Sequence, residues 1–490
     1  MRNLNRRLLK AAPLALFSAA LLAGCNSDSD NDTPRAQRVQ DERAFTAAPP
    51  SAALVAALEI DGATLYSGLH QGEHGDASYL IQVPDDWNGI LVMYAHGYRG
   101  EGLEVTVTPP RIQQELIAAG YAWAASSYSS NFYDVRAGVE DTNALALAFE
   151  ELTNNAHGSP DKYYITGHSM GGHITGAAIE AETLATANKV VEYAGAVPMC
   201  GVMGDTELFN YFAAYNVAAQ QLAGITQEVT AENYATEILP QIKDALWTGY
   251  GSFPISDGVT LNGPTTPEGD RLLGILMNLS GGERPMFYPT PTSTTEIGAS
   301  QLTAWHDLLL GYGVPNGTIT GILNKNVLDT RDVTYRWESV PGEALTAAEQ
   351  AFNNAAVVRV PDADANGLRD DGLRWIPKVN GEFNVPVVSI HTLGDLFVPF
   401  SMQQIYAERA AANGSDGWLV QRAMRTVNHC DFTNEEEWAA FTAMAEWEQN
   451  PGTPAPAGDN VLNPAEVSDP SFGCRFSTED RPGLTPCPTT

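Results

Sequence analysis

Hydrophobic positions along this chain come in short unbroken blocks. Ile90-Leu91-Val92-Met93-Tyr94-Ala95, Tyr121 to Ser126, Tyr163-Tyr164-Ile165-Thr166, Val191 to Val197, Val385-Pro386-Val387-Val388-Ser389-Ile390 and Trp418-Leu419-Val420 are apolar runs rich in β-branched and aromatic residues. Continuous runs of that length predict strands covered on both faces. Between them the spacing is helical: Leu145, Ala148, Phe149 and Leu152 recur at three- and four-residue intervals behind the N-cap oxygens of Asp141 and Thr142, and the small-residue stretch Gly171 to Ala185 follows another strand. Strand and helix in alternation predict an α/β fold, a mostly parallel central sheet with helices on both faces. Residues 51–204 and 381–450 form one interrupted unit of this kind. The insertion 205–380 is predicted as a large, mainly helical cap, from pieces such as Leu208 to Leu222 and Ala344 to Val357 and a Pro/Thr-rich loop, Pro285 to Thr295. Residues 451–490 read as a Pro/Gly-rich tail.

Candidate chemistry sits where the blocks end. Gly167-His168-Ser169-Met170-Gly171 is a G-x-S-x-G pentapeptide between a predicted strand and helix, a context in which the glycines permit a sharp turn and leave the serine hydroxyl exposed. Ser169 is the expected nucleophile. An alcohol needs a base to take its proton, and the base needs an acid to orient it. Asp395 follows the strand ending at Ile390, and His429 lies on the loop beyond the Trp418 strand, so the chain order is Ser, Asp, His. Asp431 and Asp205 are the competing acids. Backbone N–H donors for a developing oxyanion are expected at Met170, directly after the nucleophile, and at Tyr98, with Gly97 as the fallback. His96 is given a supporting role in that loop, and His70, His74, His157, His173, His306 and His391 are read as surface or structural.

These features resemble the α/β-hydrolase superfamily, and within it the secreted bacterial serine esterases and lipases. His96-Gly97-Tyr98-Arg99-Gly100 is similar to the His-Gly oxyanion loop of lipases and esterases, and the resemblance covers roughly residues 79 to 200 and 381 to 450. The pair His429-Cys430 and the segment Trp447 to Pro454 are similar to feruloyl esterases and tannases. That family bridges a cysteine before the serine to the one after the histidine, whereas His168 occupies the preceding position here.

Charge and cysteines place the chain. Arg2, Arg6, Arg7 and Lys10 precede the apolar stretch Ala11 to Ala20, and Leu22-Ala23-Gly24-Cys25 resembles a bacterial lipobox. Residues 1–24 are therefore expected to be a lipoprotein signal peptide, Cys25 the lipidated N-terminus, and 25–50 a disordered tether. The stretch is short for a bilayer span. The expected location is the bacterial cell envelope, with the outer membrane favoured, or outside the cell. A net charge of −32, four units more negative without residues 1–24, argues against nucleic acid and against anionic lipid as partners and favours a neutral ester or polyester substrate. Membrane contact is expected only through the lipid anchor, and no protein partner is predicted. The four remaining cysteines suit an oxidising compartment and allow three pairings. The preferred one joins Cys200 to Cys430, restraining the histidine loop, and Cys474 to Cys487 within the tail, while a buried free thiol at Cys200 stays open.

Two further features bear on ligands. Asp362, Asp364, Asn366 and Asp370 match the front of a calcium loop, but position twelve is Leu373 where a bidentate glutamate is needed, so a plain acidic turn is favoured over a structural calcium site. Tyr128, Phe132 and Tyr133 follow a strand end and are candidates to line a substrate pocket. Together these readings predict an exported serine hydrolase that cleaves carboxylic esters through an acyl-enzyme and requires no cofactor. The alternatives are an extracellular polyester or polyhydroxyalkanoate depolymerase, a secreted peptidase or amidase, and a catalytically inactive binding lipoprotein.

Overall fold

A computed structural model describes residues 39–247, 266–287, 308–311, 316–481 and 484–488. The predicted signal segment, Cys25 and the tether up to residue 38 lie outside these residues, as do His306 and most of the loop from Pro285 to Thr295. Among the described residues, no helix is long and apolar enough to cross a membrane.

Eight strands form the central sheet: β1 (Ala63–Gly72), β2 (Gly75–Pro84), β3 (Ile90–Ala95), β4 (Ala122–Ser126), β5 (Lys162–His168), β6 (Gly195–Met199), β7 (Val387–Thr392) and β8 (Leu419–Met424). Their order is β1-β2-β4-β3-β5-β6-β7-β8. β2 runs antiparallel to β1 and β4, and the remaining neighbours are parallel. With the serine turn following β5, this is the α/β-hydrolase fold. The apolar blocks were legible because the inner strands are buried on both faces. β4, β6 and β7 are buried at every position.

Helices α1 (Val135–Leu147), α2 (Met170–Ala178), α3 (Glu207–Leu222), α4 (Pro267–Leu279), α5 (Ala347–Ala355), α6 (Ser401–Asn413) and α7 (Asn434–Gln449) account for most of the rest. α1 and α2 pack on one face with the cap, and α7 on the other. The expectation for α1 needs correction. Its N-cap is Asp134, whose side chain accepts from the Ala137 N–H, and the helix begins six residues before Asp141. Asp141 instead lies mid-helix, buried, accepting from the backbone N–H groups of Ser129 and Glu73 and from the Ser129 hydroxyl. Helical spacing thus extended further toward the N-terminus than the apparent cap. Val135 and Val139 carry the apolar face there, both fully buried.

In the insertion, the regular structure among the described residues is helical, including α3, α4 and α5. The last residues of the expected tether are ordered. Gln40 is buried and donates to Asp134 Oδ2 at 2.7 Å, and Thr46–Ala47 pairs in parallel with Glu104–Val105. The tail also has structure. Asp459 N–H donates to the Gln421 carbonyl at 2.7 Å, while its carboxylate accepts from the Ala423 N–H at 2.8 Å. These contacts cover the exposed edge of β8, a row of backbone groups that would otherwise be open to pairing with another chain. The disulfides are Cys200–Cys430 and Cys474–Cys487, the preferred pairing.

Candidate active site

Parallel register sets the site. Ala95 of β3 faces Gly167 of β5, His168 faces Met199 of β6, and Thr392 of β7 faces Met424 of β8, so the loops after these strands emerge together at one sheet edge. Ser169 stands between β5 and α2 with φ 59° and ψ −119°, a left-handed backbone that costs a β-substituted residue roughly 1–3 kcal/mol and is held only by tight surroundings. The flanking glycines provide that tightness. A Cβ on Gly171 would lie 2.0 Å from the Ala95 carbonyl oxygen, and one on Gly167 would lie 2.3 Å from the Gly171 oxygen.

His429 joins the other two groups. Its Nε2 lies 2.8 Å from Ser169 Oγ, and its Nδ1 lies 2.5 Å from Asp395 Oδ2. Asp395 is fully buried, and its second oxygen accepts from the backbone N–H groups of Phe397 and Val398, which fixes the carboxylate plane. The competing acids are occupied elsewhere. Asp431 accepts from the Thr426 hydroxyl, and Asp205 is buried against Arg409 Nη1 at 2.7 Å. Arg409, Lys378 and His173 hold the Asp205 carboxyl below its ordinary range against the opposing effect of burial. Nearby, Arg284 is buried and donates to the carbonyls of Leu393 and Gly282 and to Ser280 Oγ. Burial lowers its pKa to about 10, opposed by the charges of Tyr211 and Asp395.

Met170 is the first residue of α2, a position whose N–H has no intrahelical acceptor. Gly97 packs against Ser169, where an added Cβ would lie 3.2 Å from Ser169 Cβ, and Tyr98 lines the same cavity as Ser169. His96 is fixed between the Gly97 and Ser127 carbonyls and stacks on Tyr128. Burial pushes its pKa down to about 4. His70 and His391 are lowered to about 4 by the same cause, and both are buried. His173 bonds to the Tyr133 hydroxyl and the Pro377 carbonyl, His157 to the Tyr66 hydroxyl, and His74 pairs with Asp134 at 3.1 Å.

A cavity of about 330 Å³ opens onto Ser169. Phe132 and Tyr133 line it. Tyr128 does not: its buried ring stacks on His96, and its hydroxyl donates to the His96 carbonyl at 2.9 Å. The sequence reading missed Phe209, Phe212, Ala213 and Asn216 of α3, whose spacing puts them on one helix face, together with Phe397 and Arg43. Phe397 also meets His429 edge-to-face at 5.5 Å between ring centres. The helix spacing and the nearness of Phe397 to Asp395 were available signals. Arg43 lay in the stretch read as tether.

Behind Ser169, His168 Nε2 bonds Glu437 Oε1 at 2.9 Å and His168 Nδ1 lies 3.2 Å from the Tyr94 hydroxyl. The same Glu437 oxygen accepts from Arg111 Nη1 at 3.2 Å, and Arg111 donates to the Cys430 carbonyl at 3.1 Å. A charged chain therefore connects the residue before Ser169 to the residue after His429. Cys200, Cys430 and His429 are the one group of three potential metal-ligating side chains that converges among the described residues, and its two sulfurs are consumed in the disulfide. In the acidic turn at 362–370, the Asn366 amide bonds both the N–H and the carbonyl of Ile376, and Asp362 accepts from the Asn326 N–H. Asn366 is therefore not arranged as the calcium ligand considered from the sequence.

No family model matches the chain. A curated protein described as an o-phthalyl amidase from Xanthobacter agilis is 20% identical over 429 residues, covering 82% of this chain and 92% of that protein. Among solved structures, the rice cell wall degrading esterase LipA of Xanthomonas oryzae is 12% identical, covering 81% of this chain and 92% of that one, with a TM-score of 0.35. Feruloyl esterase B of Aspergillus oryzae is 13% identical, covering 81% and 89%, with a TM-score of 0.42.

Proposed function

We propose that this chain is a hydrolase of the α/β-hydrolase type and that it cleaves carboxylic esters through an acyl-enzyme on Ser169. The observation that carries this reading is the single imidazole of His429, within hydrogen-bond distance of both Ser169 Oγ and the buried Asp395 carboxylate. His429 Nε2 takes the hydroxyl proton as Oγ attacks the ester carbonyl carbon. Asp395 keeps Nδ1 protonated and stabilises the imidazolium. The N–H groups of Met170 and Tyr98 receive the oxyanion, His429 returns the proton to the departing alkoxide, and water repeats the sequence to release the acid and restore Ser169. Disulfides joining four cysteines are compatible with export, and the lipobox-like segment before Cys25 supports an anchored protein.

A second reading is cleavage of an amide of an aromatic acid by the same groups. The similarity to the o-phthalyl amidase, which extends over most of both chains, favours it. Purified protein assayed on 4-nitrophenyl esters, aromatic esters and the matching aromatic amides, beside Ser169→Ala, tests both. Full esterase activity in the alanine variant overturns the assignment, and a preference for amides selects the second reading.

A further inference from the structure

The cavity at Ser169 carries a charge opposite to that of the whole chain. Aspartate and glutamate outnumber lysine and arginine 59 to 27, yet the charged residues lining the cavity among the described residues are Arg43, Arg359 and Glu101. Several other arginines of the cap and its borders are ion-paired, while Arg284 and Arg336 are bonded to carbonyls and serine hydroxyls. Arg331 lies against Asp329, Arg369 against Asp371, Arg374 against Glu182 and Arg409 against Asp205. The Arg359 guanidinium has no carboxylate or hydrogen-bond partner among the described residues, although its backbone is pinned to Thr330 through the Arg359 N–H to Thr330 Oγ1 bond of 2.8 Å and the Thr330 N–H to Arg359 carbonyl bond of 3.1 Å. Arg43 is held by its stacking on Phe132, 3.6 Å from the ring centre, and by Gln40. It has no carboxylate within ion-pair distance among the described residues. Two positioned guanidinium groups thus stand among apolar walls formed by Phe132, Phe209, Phe212 and Phe397.

We propose that the substrate of this site is an aromatic or similarly apolar acid derivative bearing a free carboxylate, with the apolar body against the phenylalanines and the carboxylate held by Arg359 and Arg43. This rests on the serine hydrolase reading above. A planar guanidinium donates two parallel N–H bonds to a carboxylate, and an apolar wall excludes the water that would weaken them. Net charge points toward a neutral substrate, but at physiological ionic strength the chain's distant charges are screened within about 8 Å, so the arginines lining the cavity dominate inside it.

The test uses three esters with one leaving group: mono-4-nitrophenyl isophthalate, mono-4-nitrophenyl terephthalate, and the neutral methyl 4-nitrophenyl isophthalate. The wild-type protein should favour at least one anionic ester over the neutral one by about tenfold or more in kcat/KM, the effect expected of a hydrogen-bonded charge. That ratio should collapse toward one in Arg359→Met, be partly kept in Arg359→Lys, and shrink as sodium chloride is raised. A ratio at or below one for both anionic esters in the wild type, or one unchanged in Arg359→Met and Arg43→Met alike, overturns the proposal. Calorimetric titration of monomethyl isophthalate into Ser169→Ala separates the two readings. Binding that depends on Arg359, with no Ser169-dependent hydrolysis of any ester, retains the carboxylate site and rejects the hydrolase reading. Ser169-dependent hydrolysis without such binding does the reverse.

Discussion

Removing the Cys200–Cys430 bridge should loosen the base more than it unfolds the protein. The bridge ties the end of β6 to the loop carrying His429 across a sequence separation of 230. Loop-closure entropy sets an upper bound of roughly 5 kcal/mol for such a crosslink, and bridges commonly deliver about 2–4 kcal/mol. Both cysteines have left-handed backbones, φ 44° at Cys200 and 57° at Cys430, and an alanine pair can relax that strain, so the lower part of the range is expected. In a chain of this length each kcal/mol moves Tm by only about 1–2 °C, giving a fall of about 2–6 °C by calorimetry. Catalysis should fall further. Without the bridge, His429 is held by Asp395 and by the Arg111 bonds to the Cys430 and Phe432 carbonyls at 3.1 and 3.4 Å. A small displacement of the base can cost about tenfold to a hundredfold in kcat, and KM should hardly change because neither cysteine lines the cavity. Arg111→Ala alone should be mild while the bridge holds. In the bridge-free background it should be several times more damaging, a coupling of about 1 kcal/mol. Wild-type kcat in the Cys200→Ala/Cys430→Ala variant, or strict multiplication of its effect with that of Arg111→Ala, refutes the view that these two links share one task.

Glu437→Leu should leave His168 and Arg111 without their common acceptor and destabilise the protein by about 2 kcal/mol in urea. That lies below the ~3–5 kcal/mol for breaking a fully buried pair because the Arg111 side chain is 45% exposed, and a change under about 0.5 kcal/mol would contradict the role given to this network. Glu180 predicts a pH dependence. Burial raises its pKa from 4.5 to about 7 despite bonds from the Gly381 and Glu382 N–H groups, so the folded state binds more protons than the unfolded one in that interval. The linked stability is full below about pH 4.5 and is lost as pH rises to about 7, on the order of 3 kcal/mol. Glu180→Gln should therefore lose less stability than wild type between pH 5 and 8, and parallel denaturation curves at the two pH values would count against it.

The candidate triad was legible because each member follows a strand signalled by an apolar run. Ser169 and Asp395 follow β5 and β7, whose buried positions read as apolar blocks, and His429 follows β8, where only the start of the strand reads as apolar because Gln421 and Arg422 interrupt it. The Cys200–Cys430 bridge joins the loops after β6 and β8, which flank β7 in the sheet, whereas the cysteine count alone left three pairings open. Side chains whose role depends on tertiary approach were harder to place. Asp141 has the composition of a helix cap, but its carboxylate serves two loops distant in sequence. Tyr128 and Phe132 are four residues apart, and only Phe132 faces the cavity; both have positive φ, a backbone state that periodicity does not reveal.

The divide between what sequence pattern reveals and what it hides coincides with the divide between chemistry and selectivity. The chemical step needs a nucleophile, base and acid in one geometry, and the sheet supplies that geometry through register, which sequence periodicity encodes. Selectivity is assembled from α3, from the coil carrying Arg359, and from Arg43 in a polar stretch preceding the first strand of the sheet. Arg43 reaches the cavity because Gln40 is anchored on Asp134 and Phe132 presents its ring to the guanidinium, contacts made across about ninety residues of sequence. A deletion that removes residues up to 47 should therefore leave the triad and sheet in place while changing which esters are preferred. It should reduce the advantage of anionic over neutral esters by a factor comparable to Arg43→Met, about tenfold, with Ser169 still labelled by a fluorophosphonate. Loss of labelling in a protein that keeps its wild-type Tm would show that the N-terminal segment shapes the triad itself, and that chemistry and selectivity are not separable in this fold.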